Sequence, residues 1–197
     1  MKLLVVSDIV EKKLLEAPCA RRSSFEAIIA CGDLPPEYLI SLRNLYDAPL
    51  FYVLGNHDNR HKTRPPVGCT PLHRRMVTLH GLRIVGFSGS RWYNYGVNQY
   101  SEKEMTRFIR SMRFLFWRRG APDIVITHAP PRGFGDREDQ PHRGFPCFVK
   151  FIHRYRPKYL LHGHIHRHFT SDAERIITLG STTIINCFGS YVLEIDP

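Results

Sequence analysis

Eight residues of carboxylate, amide and imidazole type follow short apolar runs. Asp8 comes after residues 3–6, Asp33 after 26–30, Asn56-His57-Asp58 after 49–54, His128 after 123–127, and His164 with His166 after 158–161. In layered α/β folds, ligands gather in the crevice outside the carboxyl ends of strands, so these side chains are placed to converge. Together they offer mixed oxygen and nitrogen donors, a set suited to manganese, iron or zinc and poor for copper(I), which prefers sulfur. Taken singly each has a plainer reading: an Asp behind a strand is a cap or turn residue, Gly-Asn is a turn, and a strand-end His is simply hydrogen-bonded. Their joint order changes that reading.

The elements that must hold these residues follow from hydrophobic periodicity. Residues 2–6, 26–30 and 49–54 read as short buried strands. Between 35 and 46, Tyr38, Leu39, Leu42 and Leu45 recur at helical spacing behind Pro35 and Pro36, which are tolerated at a helix start. Runs 77–79 and 82–87 flank His80-Gly81 and predict a hairpin. Ser101 with Glu104 forms a capping box that opens a helix, whose apolar face from Met105 through Phe116 runs to about Arg119. A strand at 123–127, an irregular stretch at 129–143, a helix at 145–155 and a strand at 158–161 follow, then apolar segments at 175–179, 182–187 and 191–195. Strands alternate with helices early and become hairpin-like late, which predicts an α/β layered fold with mixed sheets. No repeat or linker divides the 197 residues, and they read as one domain.

With 43% hydrophobic and 23% charged residues, the chain is outside the disordered class. The net charge of +10 suits an anionic partner. Its arginines are scattered from Arg21 to Arg175 without a dense block, so charge alone leaves nucleic acid the less favoured partner. The five cysteines, Cys19, Cys31, Cys69, Cys147 and Cys187, form no Cys-x-x-Cys pair and are odd in number. Reduced, mostly buried thiols are expected rather than a disulfide framework or a thiolate zinc site. The first apolar run is too short for a signal-peptide core or a membrane span, and the expectation is a soluble cytoplasmic protein.

The succession Asp8, Gly32-Asp33, Gly55-Asn56-His57-Asp58, Thr127-His128 and Gly163-His164-Ile165-His166 resembles the signature of calcineurin-like metallophosphoesterases, and is similar to small prokaryotic members without a cap domain. The resemblance implies a four-layer sandwich of two mixed β-sheets flanked by α-helices, with two divalent metals (Mn, Fe or Zn) at one edge. It implies that Asp33 bridges the metals, that Asn56, His128 and His164 complete the second site, and that Asp8 and His166 serve the first. The family places a His two residues after the first Asp, where this chain has Val10, so the first site is expected to be weak or empty. Glu11, one residue further on, is poorly directed to replace it.

The implied activity is hydrolysis of phosphate esters, as a phosphodiesterase or phosphatase. A metal-activated hydroxide would attack phosphorus, and His57 would protonate the leaving oxygen. Asp58 is the candidate to orient that imidazole. On the substrate side stand His142 and Arg143 in a His-x-Gly element before a helix, then Arg60 and Arg91; on the residues alone His142 reads equally as a helix cap. Trp92, Tyr93 and Tyr95 offer an aromatic wall for a base or cover a core edge. His61, His73, His80, His153 and His168 read as surface or satisfied residues, and His162 as pointing away from the His164–His166 pair. The alternatives are a nuclease of the same family and a non-catalytic metal-binding interaction scaffold; no membrane partner is expected, and the oligomeric state is left open.

Overall fold

The computed structural model describes residues 1–16 and 24–195, so Cys19 lies outside the described residues. Strands β1 (Lys2–Ser7), β2 (Ala27–Ala30), β3 (Leu50–Tyr52) and β4 (Thr70–Pro71) run parallel in one sheet. Its other edge is β13 (Gly189–Glu194), antiparallel to β1 with Ser7 opposite Gly189. The second sheet has the order β11-β12-β10-β9-β6-β5. In it β6 (Leu82–Phe87), β9 (Ile124–Thr127), β10 (Tyr159–His162) and β12 (Thr182–Asn186) are parallel, while β5 (Met76–Leu79) and β11 (Ile176–Leu179) close the edges antiparallel. Two-residue strands β7 (Ser90–Arg91) and β8 (Gln99–Tyr100) pair separately.

Period-two alternation explains the layering. Leu3, Val5 and Ile29 point into a core shared with Ile84, Ile124, Ile126 and Leu161 of the second sheet. Their neighbours Leu4, Val6 and Ile28 point the other way, onto Leu39 and Leu42 of α2 (Pro36–Tyr46). The outer face of the second sheet is covered by α3 (Glu102–Ser111), α4 (Arg113–Arg119) and α5 (Pro146–Tyr155) through Met105, Phe116, Phe148 and Phe151. Among the described α-helices, α1 (Lys12–Leu15) alone buries no residue. Helices therefore flank two mixed sheets on both sides, as the four-layer expectation has it.

The capping box is present: Ser101 Oγ accepts from Glu104 N at 3.2 Å and Glu104 Oε2 accepts from Ser101 N at 2.8 Å. The single helix expected to run to Arg119 is instead two, α3 and α4, because the Met112 N–H turns to the carbonyl of Ile109, three residues back. His80 and Gly81 both have positive φ, +46° and +84°, the pairing a two-residue hairpin turn of the I′ type requires. The four described cysteines are free thiols, three buried and Cys69 partly so. No helix among the described residues is long and apolar enough to cross a membrane.

Candidate metal centre

Neighbouring parallel strands bring the motif residues to one edge. Asp8, Asp33 and Asn56 follow β1, β2 and β3 of the first sheet, and His128 and His164 follow β9 and β10 of the second. Asp8, Asp33 and His164 hold left-handed backbone, with φ of +65°, +56° and +68°. Such a conformation is unfavourable for side chains other than Gly, Asn and Asp, and it persists where surrounding contacts enforce it. Two motif glycines are explained by close approach. A Cβ on Gly55 would lie 2.0 Å from Asp33 Oδ1, and one on Gly163 would lie 1.9 Å from Ser7 Oγ.

Ligand atoms of Asp33, His128 and His164 all lie within 4.8 Å of one another. His128 is fully buried, and its Nδ1 donates to the Cys31 carbonyl at 2.8 Å, which directs Nε2 at the Asn56 amide oxygen (3.1 Å) and Asp33 Oδ2 (3.3 Å). Two acceptor oxygens converging on one ring nitrogen call for positive charge at their centre, a proton or a metal. Burial opposes charge on this imidazole, but the Asp33 carboxylate outweighs it and raises His128 to about 9. Burial likewise opposes charge on Asp33, and His128 with the His57 N–H overcomes it to hold that carboxyl at about 2. Asp33 Oδ1 accepts the His57 N–H at 2.8 Å. His164 Nε2 donates to the Pro141 carbonyl at 2.8 Å, which leaves Nδ1 with its lone pair; burial first, then the charge of His128, lower this ring to about 3.

Asp8 supplies a second focus. Its side chain has no exposed surface, yet its partners are the His164 N–H, 3.1 Å from both oxygens, and His166 Nε2 at 3.5 Å. A buried carboxylate has about four lone-pair directions to fill, so this one is under-satisfied without a cation. His166 is exposed and stacks on Phe188, 4.7 Å between centroids. Val10 is 43% exposed beside Asp8 in sequence and brings no donor. Glu11 does not substitute for it: its carboxylate meets Lys13 at 3.3 Å and lies over Gly189.

Several expected roles are corrected by the geometry. Asp58 does not reach for His57. Its carboxylate accepts the N–H groups of Gly55 (2.7 Å), Asp33 (2.8 Å) and Leu34 (3.1 Å), bracing the motif loop onto the Asp33 loop, while burial, with the Asp33 charge adding, pushes it up to about 7. Consecutive residues on a turn diverge, which is why adjacency misled. His57 itself is exposed and, with Asp33 and Arg60, lines a cleft of about 160 Å³. Arg60 is paired with Glu37 of α2, and Arg143 donates through Nη2 to the Glu138 carbonyl at 2.9 Å.

His142 does reach the cluster, its ring 5.2 Å from that of His164, with Nδ1 bonded to Asp139. Arg91 lies on β7, which packs against the turn Gln140–His142. There is no continuous aromatic wall. Trp92 and Tyr95 meet edge to face on the surface, whereas Tyr93 Oη accepts from Asn56 Nδ2 at 3.0 Å and fixes the amide so that its oxygen faces His128. Of the histidines read as surface or satisfied, His73 is partly buried, stacked on Tyr100 and edge-on to Phe108, and His61 is buried against Tyr52. His162 is fully buried, its Nδ1 bonded to the Gly163 carbonyl. The carbonyls of Cys31 and Pro141, which direct the two ligand-type histidines, carry no sequence signal, since every residue has one.

With this arrangement in view, comparison with known proteins is decisive at the level of family. A calcineurin-like phosphoesterase profile matches residues 1–168. The chain belongs to the calcineurin-like phosphoesterase family. Structural similarity agrees: TT1561 of Thermus thermophilus superposes with a TM-score of 0.66 at 14% identity, covering 95% of this chain and 89% of that one. Vps29 of Entamoeba histolytica gives 0.51 at 13% identity, covering 100% and 87%. At such identities these two structures speak for the fold. A UPF0046 protein of Caenorhabditis elegans is 31% identical over 64 residues, 32% of this chain; the match spans only 20% of that relative's length.

Proposed function

We infer that this member hydrolyses phosphate esters in a metal-dependent reaction, acting as a phosphodiesterase or phosphatase on small substrates. The observation that carries this reading is the convergence of Asp33, His128 and His164 within 4.8 Å, with the Asn56 oxygen 3.1 Å from His128 Nε2. Asp33, Asn56, His128 and His164 would hold one divalent cation, and Asp8, His166 and a shared Asp33 oxygen a second, weaker one. When bound, such cations neutralise phosphoryl oxygens and lower the pKa of water.

The protein's own contributions are positional and protonic. The Cys31 and Pro141 carbonyls hold the far ring N–H of each histidine, so that His164 Nδ1, and His128 Nε2 once its proton is displaced, would face a cation. Asp58 ties the loop of Asn56 and His57 to that of Asp33. His57, exposed at the cleft with its N–H anchored on Asp33, is the group placed to give a proton to the leaving oxygen. His142, whose ring lies 5.2 Å from that of His164, is the first candidate to contact substrate, with Arg143, Arg60 and Arg91 as further candidates.

The test is hydrolysis of a nitrophenyl phosphomonoester and its diester by the purified chain, with added manganese and with chelator, alongside its metal content. Manganese-dependent turnover that vanishes in Asp33→Ala together with bound metal, and falls about 100-fold or more in His57→Ala with metal retained, supports the reading. Metal bound near one equivalent with neither ester cleaved favours the interaction scaffold instead.

A further inference from the structure

A second region of the molecule has unspent chemistry. Between α3 and α5 lies a cleft of about 240 Å³ whose rim carries Arg110, Arg113, Lys150 and Arg154 over a floor that includes Phe151 and Tyr155. Some arginines elsewhere are matched by acids, as in Arg83 with Asp123 (2.9 Å), Arg132 with Asp136 (2.7 Å) and Arg175 with Asp172 (3.0 Å), whereas the cleft gathers several cations around one recess. Among the described residues, none of the four cleft cations makes an ion pair. Like charges gathered around one recess repel one another, a cost that an anion in the recess removes.

Beside the cleft, α4 leaves Phe114 68% and Trp117 80% exposed, with ring centroids 5.7 Å apart. Residues three and four apart share a helix face, so Trp117 adjoins both Phe114 and the cleft cation Arg113. On the inner side of the same helix, Phe116 packs edge-on against Phe151 and Tyr155. A rigid aromatic-backed helix thus holds cations and two open π-faces next to one another.

We propose that this outer helical surface binds single-stranded nucleic acid, phosphates lying along the Arg110–Arg113–Lys150–Arg154 cleft and bases stacking on Phe114 and Trp117. Cations that track a backbone, beside aromatic rings that accept any base, are the chemistry of sequence-tolerant single-strand binding. An anionic bilayer would meet the same residue types, but a flat surface does not fill a recess between two helices, whereas a flexible polyanion does. The proposal does not depend on the hydrolytic reading.

The experiment is fluorescence anisotropy of a labelled oligouridylate with the full chain in chelator, titrated from about 50 to about 200 mM salt. Affinity should fall steeply with salt. The double variant Arg110→Glu with Arg154→Glu should weaken binding at least about 10-fold and flatten the salt slope, since each phosphate neutralised on a single strand contributes a slope of roughly 0.7. Trp117→Ala should weaken it about 10-fold with the slope kept. Asp33→Ala, which removes a cluster ligand, should bind as the native chain does, so failure of the hydrolytic reading leaves this surface standing. Absence of binding at the lowest salt, indifference to the charge reversals, or displacement of the oligonucleotide by phosphatidylserine vesicles would each overturn the proposal. The side chains of Arg110, Trp117 and Arg154 are exposed, and circular dichroism of each variant, Asp33→Ala included, verifies that it is folded.

Discussion

The His164 backbone N–H stands 3.1 Å from each carboxylate oxygen of Asp8, joining residues 156 apart in the chain. The first aspartate and the last histidine motif are therefore a single structural unit. Asp8 draws a ring nitrogen from His166 alone, at 3.5 Å, and Val10, two residues further along the chain, offers no second nitrogen.

Restoring that nitrogen gives the first prediction. Native protein should bind one manganese ion tightly and a second at least about 10-fold more weakly, and Val10→His should draw the two affinities together. Isothermal titration with metal analysis reads both values. An unchanged second affinity would show that the isopropyl group is not the deficit.

Asp58 is predicted to matter through the loop rather than through His57. Asn at this position keeps one acceptor oxygen and turns an N–H₂ toward backbone donors, so Asp58→Asn should cost about 2 kcal/mol in urea denaturation and loosen metal binding. The pH profile of the residual hydrolysis should keep its shape. A shifted acid limb would instead restore Asp58 as the partner of the His57 imidazole.

Tyr93→Phe isolates the bond that aims the Asn56 amide. Metal affinity should drop about 10-fold while the thermal midpoint hardly moves, because the ring stays and only the hydroxyl goes. A loss of stability without a loss of metal would mark Tyr93 as packing alone.

His73 sets a pH dependence of folding away from the cluster. Burial pushes its ring down to about 4, and its Nδ1 accepts the Ser88 N–H at 3.0 Å, a bond that a proton there would break. The unfolded ring titrates near 6.5, so between about 4 and about 6.5 the unfolded chain binds more protons and stability rises with pH. The span is on the order of 2 kcal/mol after allowance for the ring's partial exposure. His73→Asn, which keeps an acceptor without a titrating group, should reduce the slope of urea stability across that window, the buried His162 and His164 supplying the remainder; an unaltered slope would locate the dependence elsewhere.

Much of this site was legible because each donor ends an apolar run, and strand ends are where a layered sheet delivers side chains. Asp8, Asp33, Asn56 and His128 each end such a run, and although singly they read as caps, turns or hydrogen-bonded residues, their joint order and its family resemblance marked them. What escaped reading lay in contacts between distant segments. Tyr93 stands 37 residues from Asn56, the supporting carbonyls belong to Cys31 and Pro141, and Asp58 faces backbone that sequence adjacency to His57 conceals. Burial of His73 and His61 was equally hidden, since an isolated His on a short strand or turn has no periodicity to reveal its face. The Arg-rich composition spread its charges through the sequence, and the packing of α3 and the start of α4 against α5 gathers four cations around one cleft.

Because the cluster draws Asp33 and Asn56 from one sheet and His128 and His164 from the other, a cation held there acts as a rivet through the sandwich. Its binding free energy adds to cohesion between the layers, so metal supply and resistance to unfolding become one quantity. Chelation would weaken the architecture itself, and partial unfolding would release the ion, before any question of turnover arises.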